Sequence, residues 1–244
     1  MLLHAGIADR RIWADLLDPL AEAGARVFAP DLPGFGDTSV PAAPSAPWRD
    51  VLDTLDAHGI ERFVLAGNSF GGSVAKRVAV LAPDRVAGLA LISAPPEDDQ
   101  EPSPELQAVW EAEEEALERE DLDAAVAAVV EAWTLRDAPA PQRELVAQMQ
   151  RRAFELQLAA GEQEWAPDPL ELDRDALARF DAPVLVAHGE HEMPDFPAAA
   201  QELVATLPRA RLEVIAGAGH LAPLERPDAV LELLAGLLAE ALPA

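Results

Sequence analysis

Gly67-Asn68-Ser69-Phe70-Gly71-Gly72 is the stretch that decides the fold. It follows Arg62–Ala66, a run of buried residue types that reads as a strand. It opens Phe70 to about Leu81, which reads as a helix. A Gly-x-Ser-x-Gly pattern between a strand and a helix is a nucleophile elbow. The chemistry explains the spacing. A serine hydroxyl attacks a carbonyl only if it projects from the sheet edge toward a base, and a sharp turn achieves this by straining the serine backbone. Gly67 and Gly71 keep side chains out of the crowded turn. Gly72 lets the helix start lie close to the sheet. The helix N-terminus then offers the Phe70 N–H to a developing oxyanion.

Working outward, short apolar runs alternate with helical patterns. Met1–His4, Arg26–Pro30, Val86–Ser93, Val184–Ala187 and Leu212–Ile215 read as strands. Asp15–Ala23, Trp48–His58, Ala198–Leu207 and Pro227–Leu242 read as helices. The alternation implies an α/β fold, a mostly parallel sheet covered on both faces. Residues 95–180 break it and read as several helices without a strand. The expected organisation is therefore a core of residues 1–94 and 181–244 carrying a helical cap, 95–180. Acids crowd the cap's start, from Glu97 to Asp121. Trp110, Leu117, Leu122, Val126, Val130, Trp133 and Leu135 supply its apolar positions.

The bulk numbers exclude several classes. The 244 residues suit one large domain with a small insertion. A net charge of −26 repels phosphate backbones and anionic lipid, so neither nucleic acid nor membrane is an expected partner. The absence of cysteine removes disulfides and thiolate chemistry and fits a cytoplasmic location. The start of the chain lacks the pattern of a secretory signal.

The base is read from Gly217-Ala218-Gly219-His220-Leu221-Ala222-Pro223-Leu224-Glu225, which lies between the last strand and the last helix. Catalytic groups gather at the C-terminal ends of strands in open α/β sheets. Histidine suits proton transfer because it titrates near neutrality. His220 is the one histidine of five in such a glycine-flanked loop.

With these motifs the chain resembles the α/β-hydrolase superfamily. Leu2-Leu3-His4-Ala5-Gly6 and Asp31-Leu32-Pro33-Gly34-Phe35-Gly36-Asp37-Thr38-Ser39 add to the likeness. The resemblance implies a triad in the order Ser69, acid, His220, with oxyanion N–H donors at Gly6 and Phe70. It implies that His4 is structural and that the second motif is a turn beside the active-site mouth. The acid is expected after the strand Val184–Ala187, where Glu192 stands in place of the usual aspartate. Asp195 is the first rival and Asp98 or Asp99 the second. Members of the family usually begin with two further strands before the first motif; here either the true start lies upstream or those two strands are absent. If they are absent, Arg26–Pro30 is an exposed, largely apolar sheet edge, and poor solubility is expected.

The expected activity is hydrolysis of a carboxylic ester or related acyl bond through an acyl-enzyme. It needs a small acyl substrate, no cofactor and no metal. Serine at the elbow argues against haloalkane dehalogenases and epoxide hydrolases, whose nucleophile is aspartate. Carbon–carbon bond hydrolysis, as in meta-cleavage-product hydrolases, and enol-lactone hydrolysis are the alternatives. Meta-cleavage-product hydrolases usually carry a tryptophan where Leu221 stands. Their dianionic substrates also need pocket arginines, for which Arg136, Arg143, Arg151 and Arg152 are candidates. The acidic cap start leads to an expected preference for neutral substrates. A non-catalytic ligand-binding relative is the reading from a different class.

Overall fold

The computed structural model describes residues 1–96 and 100–242. Five strands form one parallel sheet in chain order: β1 (Leu2–Leu3), β2 (Phe63–Asn68), β3 (Val86–Ile92), β4 (Val184–Gly189) and β5 (Ala210–Ile215). In register, Leu3 pairs with Gly67, Asn68 with Ile92, Ile92 with Ala187, and Gly189 with Ile215. The C-terminal ends of all five strands therefore lie along one edge.

The helices in chain order are α1 (Ala14–Glu22), α2 (Pro47–Ala57), α3 (Phe70–Leu81), α4 (Pro104–Glu118), α5 (Leu122–Trp133), α6 (Ala140–Ala160), α7 (Pro169–Leu172), α8 (Asp195–Thr206), α9 (Ala222–Glu225) and α10 (Pro227–Ala241). Residue parity along the central strands divides the core into two layers, because successive side chains on a strand point to opposite faces. Leu89, Leu91, Val184 and Val186 pack with Trp48, Val51, Val74 and Val78 of α2 and α3. Ala90, Ile92, Leu185 and Ala187 pack with Leu16, Leu20, Leu234 and Leu237 of α1 and α10. This explains why the strands read as unbroken apolar runs. Every residue of β3 is buried.

Two elements differ from the sequence reading for physical reasons. Arg26–Pro30 is extended but joins no ladder; one bond, from Leu2 N–H to the Phe28 carbonyl at 2.8 Å, ties it to β1. β1 pairs over only two residues, and Pro30 has no N–H to give. Helix α8 starts three residues before Ala198, at Asp195. Pro197 falls in its first turn, where a missing N–H costs nothing.

Residues 95–180 contain α4, α5, α6 and α7, and no named strand among the described residues. Val126, Val130 and Trp133 of α5 are buried, as their spacing implies. Trp110 of α4 instead lies 51% exposed among the acids of that helix. No helix among the described residues is long and apolar enough to cross a membrane.

Candidate active site

The elbow is built from backbone contacts. Ser69 links β2 directly to α3 with φ 53° and ψ −116°. That is left-handed territory, which costs a non-glycine residue about 1–3 kcal/mol and persists only where surrounding bonds enforce it. Here the Ser69 N–H donates to the Ile92 carbonyl at 2.9 Å, and the Ser69 carbonyl accepts from Ser73 N–H at 3.0 Å. The flanking glycines have no room for a side chain. A Cβ on Gly67 would sit 2.1 Å from the Gly71 carbonyl oxygen, and one on Gly71 would sit 2.3 Å from that of Leu3.

His220 and Glu192 meet from two different strand ends. Glu192 lies three residues beyond β4 and His220 five beyond β5. The Nδ1 of His220 is 3.0 Å from Glu192 Oε1 and 3.1 Å from Oε2. Both side chains are sealed off, at 5% and 1% exposure. The rings of Trp133 and Phe196 pack on the imidazole at 4.4 and 4.6 Å between centroids. A cleft of about 490 Å³ opens beside the pair, between Trp133–Asp137 and His191–Met193.

The other carboxylates considered for the acid position stand elsewhere. Asp195 accepts from the Ser103 N–H at 2.7 Å and from its hydroxyl at 2.6 Å. It is engaged with the N-cap of α4. Asp98 and Asp99 lie outside the described residues. His188 Nδ1 contacts its neighbour's carbonyl, and His191 is exposed.

Gly6 approaches the elbow from β1: a Cβ there would lie 3.3 Å from Phe70 Cβ. Among the described residues, neither the Gly6 nor the Phe70 N–H is given a protein acceptor. His4 shapes the Gly6 loop. Its Nε2 accepts from the Leu32 N–H at 2.8 Å, so Nδ1 carries the proton and donates to the Ala5 carbonyl at 2.8 Å. The Asp31 carboxylate accepts from the Arg10 N–H at 2.8 Å and the Asp37 N–H at 2.9 Å, closing the 31–37 turn.

Burial holds the His4 pKa below its ordinary 6.5, against weaker opposing pulls from its bond to Ala5 and from Asp31 and Asp9. Below pH 6.5 the unfolded chain therefore takes up a proton at this residue that the folded chain refuses, so stability is lost as pH falls. The loss is at most about 1.4 kcal/mol per pH unit and levels off below the folded pKa. Urea midpoints taken between pH 7.5 and 5.5 should fall less steeply in His4→Gln than in the parent. Parallel slopes would refute a neutral, buried His4.

Two residues at the site escaped the sequence reading. Asn68 Nδ2 donates to the carbonyls of Ile92 at 3.2 Å and His220 at 3.0 Å, pinning the His220 loop to the elbow. Glu225 accepts from the Gly219 N–H at 2.7 Å, and burial pushes its pKa up. Each had a faint signal: a polar side chain ending a buried strand, and an acid closing an otherwise apolar turn.

Comparison with known proteins agrees with this architecture. Residues 1–227 match the model of the alpha/beta hydrolase fold family. The chain is 30% identical to the esterase YbfF of Escherichia coli K12 over 199 residues, covering 76% of this chain and 71% of that one. It is 36% identical to epoxide hydrolase 3 of Siraitia grosvenorii over 98 residues, a match spanning 38% of this chain and only 31% of that protein. The solved structure of a thermophilic esterase from Thermogutta terrifontis superposes with a TM-score of 0.76 at 26% identity, covering 98% of this chain and 89% of that one. The parallel sheet, the strained serine between strand and helix, and the match across 1–227 place this chain in the α/β-hydrolase fold family.

Proposed function

We propose that the protein is a serine hydrolase that cleaves a carboxylic ester or related acyl bond, with Ser69, His220 and Glu192 as its triad. The observation that carries this reading is the strained Ser69 at the same sheet edge as the buried His220–Glu192 pair. Ser69 Oγ attacks the carbonyl as His220 takes its proton. The Gly6 and Phe70 N–H groups hold the oxyanion. His220 then protonates the leaving oxygen and activates water for deacylation, while Glu192 holds the tautomer and balances the imidazolium charge. Residues 95–180 act as a cap over this edge.

The likeness to an esterase over most of both chains supports the ester reading. Serine at the elbow separates this chain from the epoxide hydrolases' aspartate chemistry. For carbon–carbon hydrolysis of dianions, Arg136 is the candidate arginine that lines the cleft beside His220, where it is exposed, while the other three are engaged elsewhere. Arg143 pairs with Glu131 at 2.7 Å, Arg151 with Asp123, and Arg152 donates to the Gly36 carbonyl at 3.2 Å.

A fluorophosphonate probe tests the reading. The parent protein should be labelled and should hydrolyse short neutral esters. Ser69→Ala should remain folded and lose both properties, with kcat reduced by on the order of 10⁴ or more. A folded parent that takes no label would instead be a ligand-binding relative.

A further inference from the structure

The rings near Ser69 fall into two groups that share no contact among the described residues. Trp133 and Phe196 surround His220. Phe70 belongs to the other group: its ring centroid is 5.9 Å from Phe35 and 6.5 Å from Trp165, and Trp165 stacks on Trp48 at 6.5 Å. A row of contacts therefore runs outward from the oxyanion donors. Gly6 abuts Phe70, Phe70 meets Trp165, and Trp165 meets Trp48.

These last three rings line a cleft of about 550 Å³, within the range of small-molecule sites. Trp165 is 57% exposed, an unusual state for the largest apolar side chain. Its backbone is nevertheless fixed on both sides. Ser45 N–H donates to the Glu164 carbonyl at 2.7 Å, and Ala166 N–H donates to the Ser45 carbonyl at 3.0 Å. The indole is thus held out from a backbone fixed by a single β-bridge to Ser45.

The charge of the cleft is matched or negative. Arg77 at its base donates from Nε to Asp168 at 2.9 Å and from Nη1 to Ser73 Oγ at 2.6 Å, and its guanidinium lies 5.8 Å from the Trp48 ring centroid. Glu171 adds a further carboxylate to the lining. An anionic group entering here would meet acids and a guanidinium already paired with Asp168.

We infer that this cleft is the acyl subsite, and that it takes a neutral aromatic acyl group. The inference rests on the serine-hydrolase reading. Its orientation follows from proton transfer: the leaving oxygen must face His220 to be protonated, which assigns the alcohol portion to the Trp133–Phe196 side. The acyl portion then extends along the Phe70 side. Flat aromatic faces bind an aryl ring by stacking and edge contact beyond what area alone gives.

Three esters test this with parent and Trp165→Ala: ethyl 3-phenylpropanoate, ethyl hexanoate, and 2-phenylethyl acetate, which carries its ring on the alcohol. The parent should prefer the first over the second. Trp165→Ala should lower kcat/KM for ethyl 3-phenylpropanoate about tenfold and change the other two by less than about twofold. Trp165→Phe should recover most of the loss. The substituted side chain is exposed and its backbone bonds do not depend on it, so folding is not at stake. Equal losses on all three esters, no loss on any, or a loss confined to 2-phenylethyl acetate would overturn the acyl subsite while fluorophosphonate labelling of Ser69 still stood. A parent that neither labels nor turns over any of the three would overturn the hydrolase reading and the subsite with it.

Discussion

Glu192→Gln is expected to lower kcat by on the order of 10³ to 10⁴ and leave the protein folded. The two carboxylate oxygens lie nearly equidistant from His220 Nδ1, at 3.0 and 3.1 Å, in a pocket that leaves the Glu192 side chain 1% exposed. In the proposed mechanism His220 becomes a buried cation when it takes the serine proton. Only a negative partner at this distance, in surroundings of low dielectric, offsets that charge. Glutamine keeps the shape and can still accept one hydrogen bond, but it supplies no charge. It can also turn its NH₂ toward Nδ1 and enforce the wrong tautomer. The effect should therefore fall on kcat, with KM changed little.

Asp195→Asn is the control, because it alters a carboxylate only three residues away. Asp195 accepts two bonds from Ser103, whose hydroxyl in turn accepts from the Leu106 N–H at 3.2 Å and so caps α4. Asparagine can satisfy only one of those donors. The expected result is a lower melting temperature, from about 1–3 kcal/mol of lost stability, with kcat within a few-fold of the parent. If Asp195→Asn removed activity and Glu192→Gln did not, the acid would have to be reassigned.

The elements that face a common core were legible in the sequence, since the short apolar runs of β2, β3 and β4 are a local property. The elbow was legible for a similar reason: strand, turn and helix signals stand side by side in one short stretch. Glu192 was chosen over its rivals only by resemblance. Nothing local separates it from Asp195, and the choice depends on where a loop five residues beyond β5 delivers an imidazole. Asn68 and Glu225 were missed because their partners, the His220 carbonyl and the Gly219 N–H, are backbone groups brought near by the fold. The Arg26–Pro30 segment was misjudged in the opposite sense. Its composition suits a strand, but a ladder needs a partner longer than the two residues of β1. Trp110 shows the same limit: helical spacing marks an apolar stripe without showing whether anything covers it.

Gly71→Ala is expected to prevent folding, although it adds a single methyl group. The new Cβ would lie 2.3 Å from the Leu3 carbonyl oxygen, 2.6 Å from the Leu3 carbonyl carbon and 2.7 Å from the His4 carbonyl oxygen. These are main-chain atoms of the sheet edge, so no rotamer change relieves the clash. β1 is held by its ladder to β2 and by the Leu2 bond to Phe28, and α3 is tied to the elbow through Ser69. One of these must break. The cost is several kcal/mol, set against a total stability of only about 5–15. Gly236→Ala is the matched contrast. Gly236 lies on the exposed face of α10, where a Cβ would meet only Arg211 Nη2, at 3.8 Å. There the same substitution should add about 0.5–1 kcal/mol by reducing the freedom of the unfolded chain and favouring helix. Urea denaturation followed by circular dichroism would read both. Gly71→Ala should give little or no cooperative transition, and Gly236→Ala a higher midpoint. A Gly71→Ala protein that melted within a few degrees of the parent would mean that the elbow helix does not approach β1 as closely as its glycines imply.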